Sequence, residues 1–156
     1  MPAAPRTPVG SKLQDGYQTV ITFADDTDIA LWEKTVTPMG LEGGEKVDTT
    51  TMHNVDVRTY GARFLKEVTD AQMIVAYDPA ALADLLALIN VPQKVTLTFP
   101  DGSTWEFDGY LKNFQPGSIQ EGTQPEATCT IVATNTESTA GPTEGDEISP
   151  VYAAAP

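Results

Sequence analysis

The chain has 156 residues, 40% of them hydrophobic and 20% charged, which is one domain's worth of sequence and enough for a packed core. Nine Lys and Arg stand against 22 Asp and Glu, a formal net charge of -13, which argues against a protein that grips nucleic acid, since each phosphate contact needs a cation. One cysteine, Cys129, and one histidine, His53, exclude an internal disulfide framework and a structural zinc site.

The chain opens Met1-Pro2-Ala3-Ala4-Pro5-Arg6-Thr7-Pro8, with no apolar stretch behind a basic start, so no signal peptide is expected. Residues 1–15 read as an extended arm rich in Pro and small residues. No apolar run approaches membrane-spanning length, and synthesis in a cytoplasm is expected. Tyr17, Thr19, Ile21 and Phe23 then share one face of a strand, which an Asp25-Asp26 turn stops, and a second strand runs from about Ile29 to Val36.

Residues 38–60 fit neither the helical nor the strand period. Gly40, Gly43 and Gly44 make the segment costly to order, and Val47-Asp48-Thr49-Thr50-Thr51 is polar and β-branched. A long irregular loop is expected here, and such loops in compact domains tend to be functional. Ala71 to Tyr77 is an apolar, β-rich run.

Asp78 is a good N-cap, and Pro79 suits the first helical position, where its missing N–H costs nothing. Leu82, Leu85, Leu86 and Ile89 follow at i, i+3, i+4, i+7, and Asn90 and Pro92 supply a stop. The spacing predicts a helix over 79–90 that packs through those four side chains.

Val95, Leu97 and Phe99 alternate with polar residues up to a Pro100-Asp101-Gly102-Ser103 turn, where Gly102 accepts positive φ. Trp105 and Phe107 alternate beyond it with Glu106 and Asp108, so residues 95–114 read as a hairpin with those two carboxylates on its exposed face. Ala127 to Thr134 is a last strand with Cys129, Ile131 and Ala133 on one face. From Asn135 to Pro156 the chain carries Glu137, Glu144, Asp146 and Glu147 and no cation, which reads as an acidic flexible tail. The expected organisation is an arm (1–15), a mainly β domain (16–134) built as a β-sandwich or half-barrel with one flanking helix, and the tail (135–156).

Four constellations could carry chemistry, and each has a plainer reading. Gly43-Gly44-Glu45-Lys46 lacks the Gly-Lys-Ser/Thr of a phosphate loop and reads as a flexible loop. Asp25-Asp26-Thr27-Asp28 lacks the Gly and distant Glu of a calcium loop and reads as a solvated turn. Glu106 and Asp108 share a strand face as glycosidase carboxylates do, but with no supporting site around them. Cys129 sits in an alternating strand as a small core residue, away from His53 in the polar loop, so no nucleophile–base pair is expected. No catalytic residue, cofactor or metal is expected.

Three stretches carry a resemblance to a known family. The loop Gly40 to Thr51, ending in Val47-Asp48-Thr49-Thr50-Thr51, is followed by Met73-Ile74-Val75-Ala76-Tyr77-Asp78-Pro79 with its short helix. Last come the turn Phe99-Pro100-Asp101-Gly102-Ser103 and the strand Trp105-Glu106-Phe107-Asp108-Gly109-Tyr110-Leu111. In this order, over residues 16–134, they resemble the tail tube (major tail) proteins of long-tailed, non-contractile bacteriophages. The resemblance implies a non-enzymatic virion subunit made in the host cytoplasm. It implies hexameric rings stacked into a hollow tube, an acidic lumen through which DNA passes without specific binding, and a long loop reaching the next ring. Implied partners are copies of the chain and other tail proteins such as the tape measure, tail terminator and distal tail proteins, with no membrane. A connector or tail-completion subunit, or an immunoglobulin-like adhesion or carbohydrate-binding module, are the alternatives. On the tube reading the loop residues Gly40, Gly43, Gly44, Asp48, Thr49, Thr50 and Thr51 form an assembly element that orders only on stacking. Its Asp48–Thr51 segment would pair with another chain by strand addition, and Arg58 and Arg63 would reach an acidic neighbour.

Overall fold

The structure is a computed structural model that describes residues 18–24, 31–138 and 145–156. The expected arm at 1–15, Tyr17, the Asp25-Asp26 turn and the start of the second strand at Ile29 lie outside the described residues. Among the described residues the chain is mainly β with one helix, as its patterning predicts.

One antiparallel sheet holds the domain together. Its strands are β1 (Val20–Phe23), β2 (Glu33–Thr37), β7 (Ala71–Ala76), β8 (Gln93–Thr98), β9 (Thr104–Pro116), β10 (Glu126–Ala133) and β11 (Val151–Ala153). They lie in the order β1-β8-β9-β10-β7-β2, with β11 on β9. The four short strands β3 to β6 belong to a separate projection described below.

Alternation explains the core. Ile21 and Phe23 on β1, Met73 and Val75 on β7, Val95 and Leu97 on β8, and Ala127, Cys129 and Ile131 on β10 all point inward into a single cluster. Burial period two follows from the pleat of each strand. Because residues from the two outermost regions of the sheet meet in one core, the sheet must curl, and the half-barrel is the expected form that is present. The backbone N–H of Ile21 on one edge strand donates to Glu33 Oε1 on the other at 3.2 Å, so the edges approach without closing a ladder.

Helix α1 (Pro79–Ala87) starts as expected: Asp78, in extended conformation, accepts from the Ala80 N–H at 2.9 Å. It stops at Ala87, three residues before the predicted end, and Asn90 takes the left-handed conformation at φ 62°. Its buried face differs from the expectation. Leu85 is 1% exposed and Leu88 is buried, while Ala81, Leu82 and Ile89 pack against the core. Leu86 is 50% exposed. At about 100° per residue the stripe 81, 82, 85, 88, 89 centres on Leu85, and Leu86 lies roughly a quarter-turn round from it.

The β8–β9 hairpin turns as predicted. Gly102 sits at φ 87°, its N–H donates to the Phe99 carbonyl at 3.0 Å, and Asp101 Oδ1 accepts from the Ser103 N–H at 2.9 Å. Gly109 on β9 has a tighter requirement, because a Cβ there would press on the Val132 carbonyl of β10.

Two expectations fail near β9. Asp108 is buried, not on an exposed face, and its Oδ1 accepts from both the N–H and the Oγ–H of Ser138. Beyond β10 the described residues 134–138 and 145–153 bond to the domain. Thr134 N–H donates to the Asp108 carbonyl at 2.9 Å, Ile148 N–H donates to the Asn135 carbonyl at 3.0 Å, and β11 pairs with β9 at Val151↔Glu106, Tyr152↔Trp105 and Ala153↔Thr104. Acidity without cations suggested a free tail. The small apolar triad Val151-Tyr152-Ala153 and the carboxylate of Asp108 instead supply attachment points.

Candidate functional site

The segment between β2 and β7 is largely exposed and holds every residue singled out as an assembly element. It is a two-stranded ribbon rather than an irregular loop. Its base is a ladder of β3 (Leu41–Glu42) with β6 (Glu67–Val68), and its upper part a ladder of β4 (Val47–Asp48) with β5 (Tyr60–Gly61). At its root Gly40 N–H donates to Thr69 Oγ1 at 2.7 Å, and Thr69 N–H returns to the Gly40 carbonyl at 2.9 Å.

A glycine meets a conformational requirement between the two ladders. Gly44 adopts φ 71°, and the Arg63 side chain lies across it, with Cδ 3.2 Å from where a Cβ would stand. Gly43 meets nothing there. Beyond Gly44 the ammonium of Lys46 sits 3.8 Å from the centroid of the Tyr60 ring, a cation–π contact between the two arms of the ribbon.

The threonines hold the tip. Thr49 N–H donates to the Thr59 carbonyl at 2.9 Å, and the Thr50 hydroxyl donates to the same carbonyl at 3.3 Å. Thr51 N–H donates to Asn54 Oδ1 at 2.9 Å, while Asn54 Nδ2 donates to the Val57 carbonyl at 3.0 Å. Asp48 Oδ1 accepts from the Thr50 N–H at 2.9 Å, and hydrogen bonding to Thr50 holds its carboxyl below the ordinary value of 3.8. Arg58 Nη1 lies 4.0 Å from Asp48 Oδ2 of its own chain, with both side chains largely exposed. Within a single chain the two ladders and these side-chain bonds give the segment a defined ribbon path. The inner edge of Asp48–Thr49 is taken by β5 and Thr59, which leaves the outer edge for any strand addition.

What the ribbon lacks is an inside. Phe64 is 100% exposed, Leu65 83% and Met52 102%, and Val55 and Val57 are exposed too. None of these joins the core cluster. Leu41, Phe64, Leu65 and Val68 at the ribbon's base face Ile148 and Pro150 across an open groove of about 400 Å³. The sequence reading missed these apolar residues because it sought periodic faces. The available signal was Arg63-Phe64-Leu65-Lys66, an apolar pair between two cations that fits neither period.

Charge separates the ribbon from the body. Residues 41–68 carry four of the nine cations (Lys46, Arg58, Arg63, Lys66) and five of the 22 acids, so the ribbon is nearly neutral, while the rest of the chain has five cations against 17 acids. The other candidates are not brought together. His53 is on the exposed tip and Cys129 is in the core, where burial pushes its thiol up to about 12. Glu106 is partly exposed, whereas Asp108 points inward to Ser138. Among the described residues no group of three His, Cys, Asp or Glu is placed to hold a metal ion, and no helix is long and apolar enough to cross a membrane.

No protein-family model and no curated protein matches the chain. Among solved structures it is similar to a chain of the anti-feeding prophage baseplate, determined by cryo-EM with six-fold symmetrisation. The TM-score is 0.52 and the identity 12%, over 73% of this chain and 85% of that one. A type six secretion system protein is also similar, with TM-score 0.46 and 12% identity, over 87% of this chain and 94% of that one. The baseplate likeness is one of fold.

Proposed function

We propose that the chain is a non-catalytic structural subunit of a phage-type tail, closing with copies of itself into hexameric rings that stack into a hollow tube for DNA. The observation that carries this reading is the ribbon at 41–68, where Met52, Val55, Val57, Phe64 and Leu65 are exposed and lie outside the core cluster. Exposed apolar groups of this size, set on an ordered projection, mark a surface that another protein covers. The likeness of fold to a chain of a six-fold-symmetrised baseplate supports the same reading.

The chemistry of the two regions is complementary. A nearly neutral ribbon approaches an acidic neighbour at lower electrostatic cost than the body would, and Arg58 and Arg63 are the cations assigned to pair there. An acidic body suits a channel for DNA, because carboxylates repel a polyanion that carries one charge per about 1.7 Å of axis. Copies of the chain are the main partners, with tape measure, terminator and distal tail proteins at the tube's ends. The virion is the place of action, and no step of catalysis is assigned.

The baseplate likeness favours a second reading, in which the subunit forms a single closed ring at the end of a tail and does not propagate. Replacing residues 43–66 by an Asn-Gly turn tests the role of the ribbon, because it keeps the β3–β6 ladder. The shortened protein is expected to melt as a folded domain and to fail in assembly by light scattering. Assembly equal to that of the intact chain would remove the ribbon from the mechanism.

A further inference from the structure

The chain has four methionines, and three of them are among the described residues. Met39 is 3% exposed and Met73 1%, both inside the core cluster, whereas Met52 at the tip of the ribbon is fully exposed. Its position follows from the turn that closes the tip. Asn54 N–H donates to the Thr51 carbonyl at 3.1 Å, so Met52 and His53 are the two central residues of a β-turn. Thr51 N–H donates to Asn54 Oδ1 at 2.9 Å, and His53 N–H donates to Thr51 Oγ1 at 3.3 Å. None of these bonds uses the Met52 side chain, which stands in water, as do those of Val55 and Val57.

Exposure decides which thioether meets an oxidant. A peroxide takes two electrons from the sulfur: the sulfur lone pair attacks one peroxide oxygen, the S–O bond forms, the O–O bond breaks and water leaves. Close packing of the core keeps a peroxide from Met39 and Met73, and nothing comparable shields Met52. The product replaces a flexible apolar side chain by a polar one with a strong hydrogen-bond acceptor. Covering that acceptor with a neighbour's surface costs free energy unless a donor meets it, a cost the thioether does not carry. The turn itself is held by other atoms, so the ribbon keeps its path.

We infer that Met52 is a selective oxidation site, at which a peroxide turns the ribbon of the free subunit into a surface that docks weakly while the domain stays folded. The inference rests on the reading that copies of the chain dock through the ribbon. It adds a reversible control of that contact, because reductases specific for methionine sulfoxide restore the thioether.

The test treats the purified full chain with stepped doses of hydrogen peroxide and follows each sample by peptide mass mapping, thermal unfolding and analytical ultracentrifugation. Sulfoxide should form at Met52 well before Met39 or Met73. At that dose the melting temperature should be unchanged and the self-associated fraction several-fold lower, with sulfoxide reductase restoring it. Met52→Leu keeps an apolar side chain of similar volume and should associate like the parent, before and after the same dose. That variant also separates Met52 from Met1, which lies outside the described residues. Met52→Gln should associate weakly without any peroxide. The inference is overturned if Met39 or Met73 oxidises as fast as Met52, or if the chain oxidised at Met52 associates like the untreated one. An untreated chain that stays monomeric would overturn the proposed function and, with it, the control of docking, while the order of oxidation would still be read from the peptide map.

Discussion

Leu85 and Leu86 are adjacent, chemically identical and placed very differently: the first is sealed in the core and the second is half in water. Leu85→Asp should therefore abolish cooperative thermal unfolding, since an unpaired charge in the core costs several kcal/mol. Leu86→Asp should shift stability by no more than about 0.5 kcal/mol. The i, i+3, i+4, i+7 pattern gave four leucine and isoleucine positions but not the axis of the stripe, because Ala81 and Leu88 contribute to it as well. Gly109→Ala should destabilise by about 1–3 kcal/mol in denaturant titration, because the methyl would meet the Val132 carbonyl and a strand backbone cannot yield cheaply. The turn at Asp101 carries a pH dependence. Hydrogen bonds from Ser103 lower its carboxyl below 3.8, so its stabilisation is full above that value and lost as pH falls through the lowered one. The difference in melting temperature between the parent and Asp101→Ala should shrink as the medium is acidified below 3.8.

At the scale of elements, strands with alternating patterns were readable because one face of each is buried. The Pro-Asp-Gly-Ser turn and the Asp78 cap were readable because each uses a specific local hydrogen bond. Asp78→Ala should cost about 1 kcal/mol by leaving the Ala80 N–H without its acceptor. The ribbon at 41–68 was legible as a long functional excursion but not as a β ribbon. Its two ladders have two pairs each and its side chains are exposed, so no burial period marks the sequence. The tail was misread for the opposite reason. Composition predicted solvation, while three residues with apolar side chains sufficed to pair with β9. Both cases turn on backbone pairing, which residue type records only weakly.

At the scale of the molecule, a body with 17 acids and five cations carries a near-neutral projection with uncovered aromatic and aliphatic side chains. The chain buries one core and leaves those side chains exposed, and under the proposed function they are where a neighbouring subunit docks. Its acidity should keep it from retaining double-stranded DNA in a filter-binding assay at physiological salt. Association should instead be homotypic. The most direct measurement is negative-stain electron microscopy of the purified, untagged chain over a rising concentration series. The proposed function predicts hollow tubes of constant diameter whose length grows with concentration, built from six-fold rings. A protein that remains monomeric throughout, or stops at single closed rings, would contradict it.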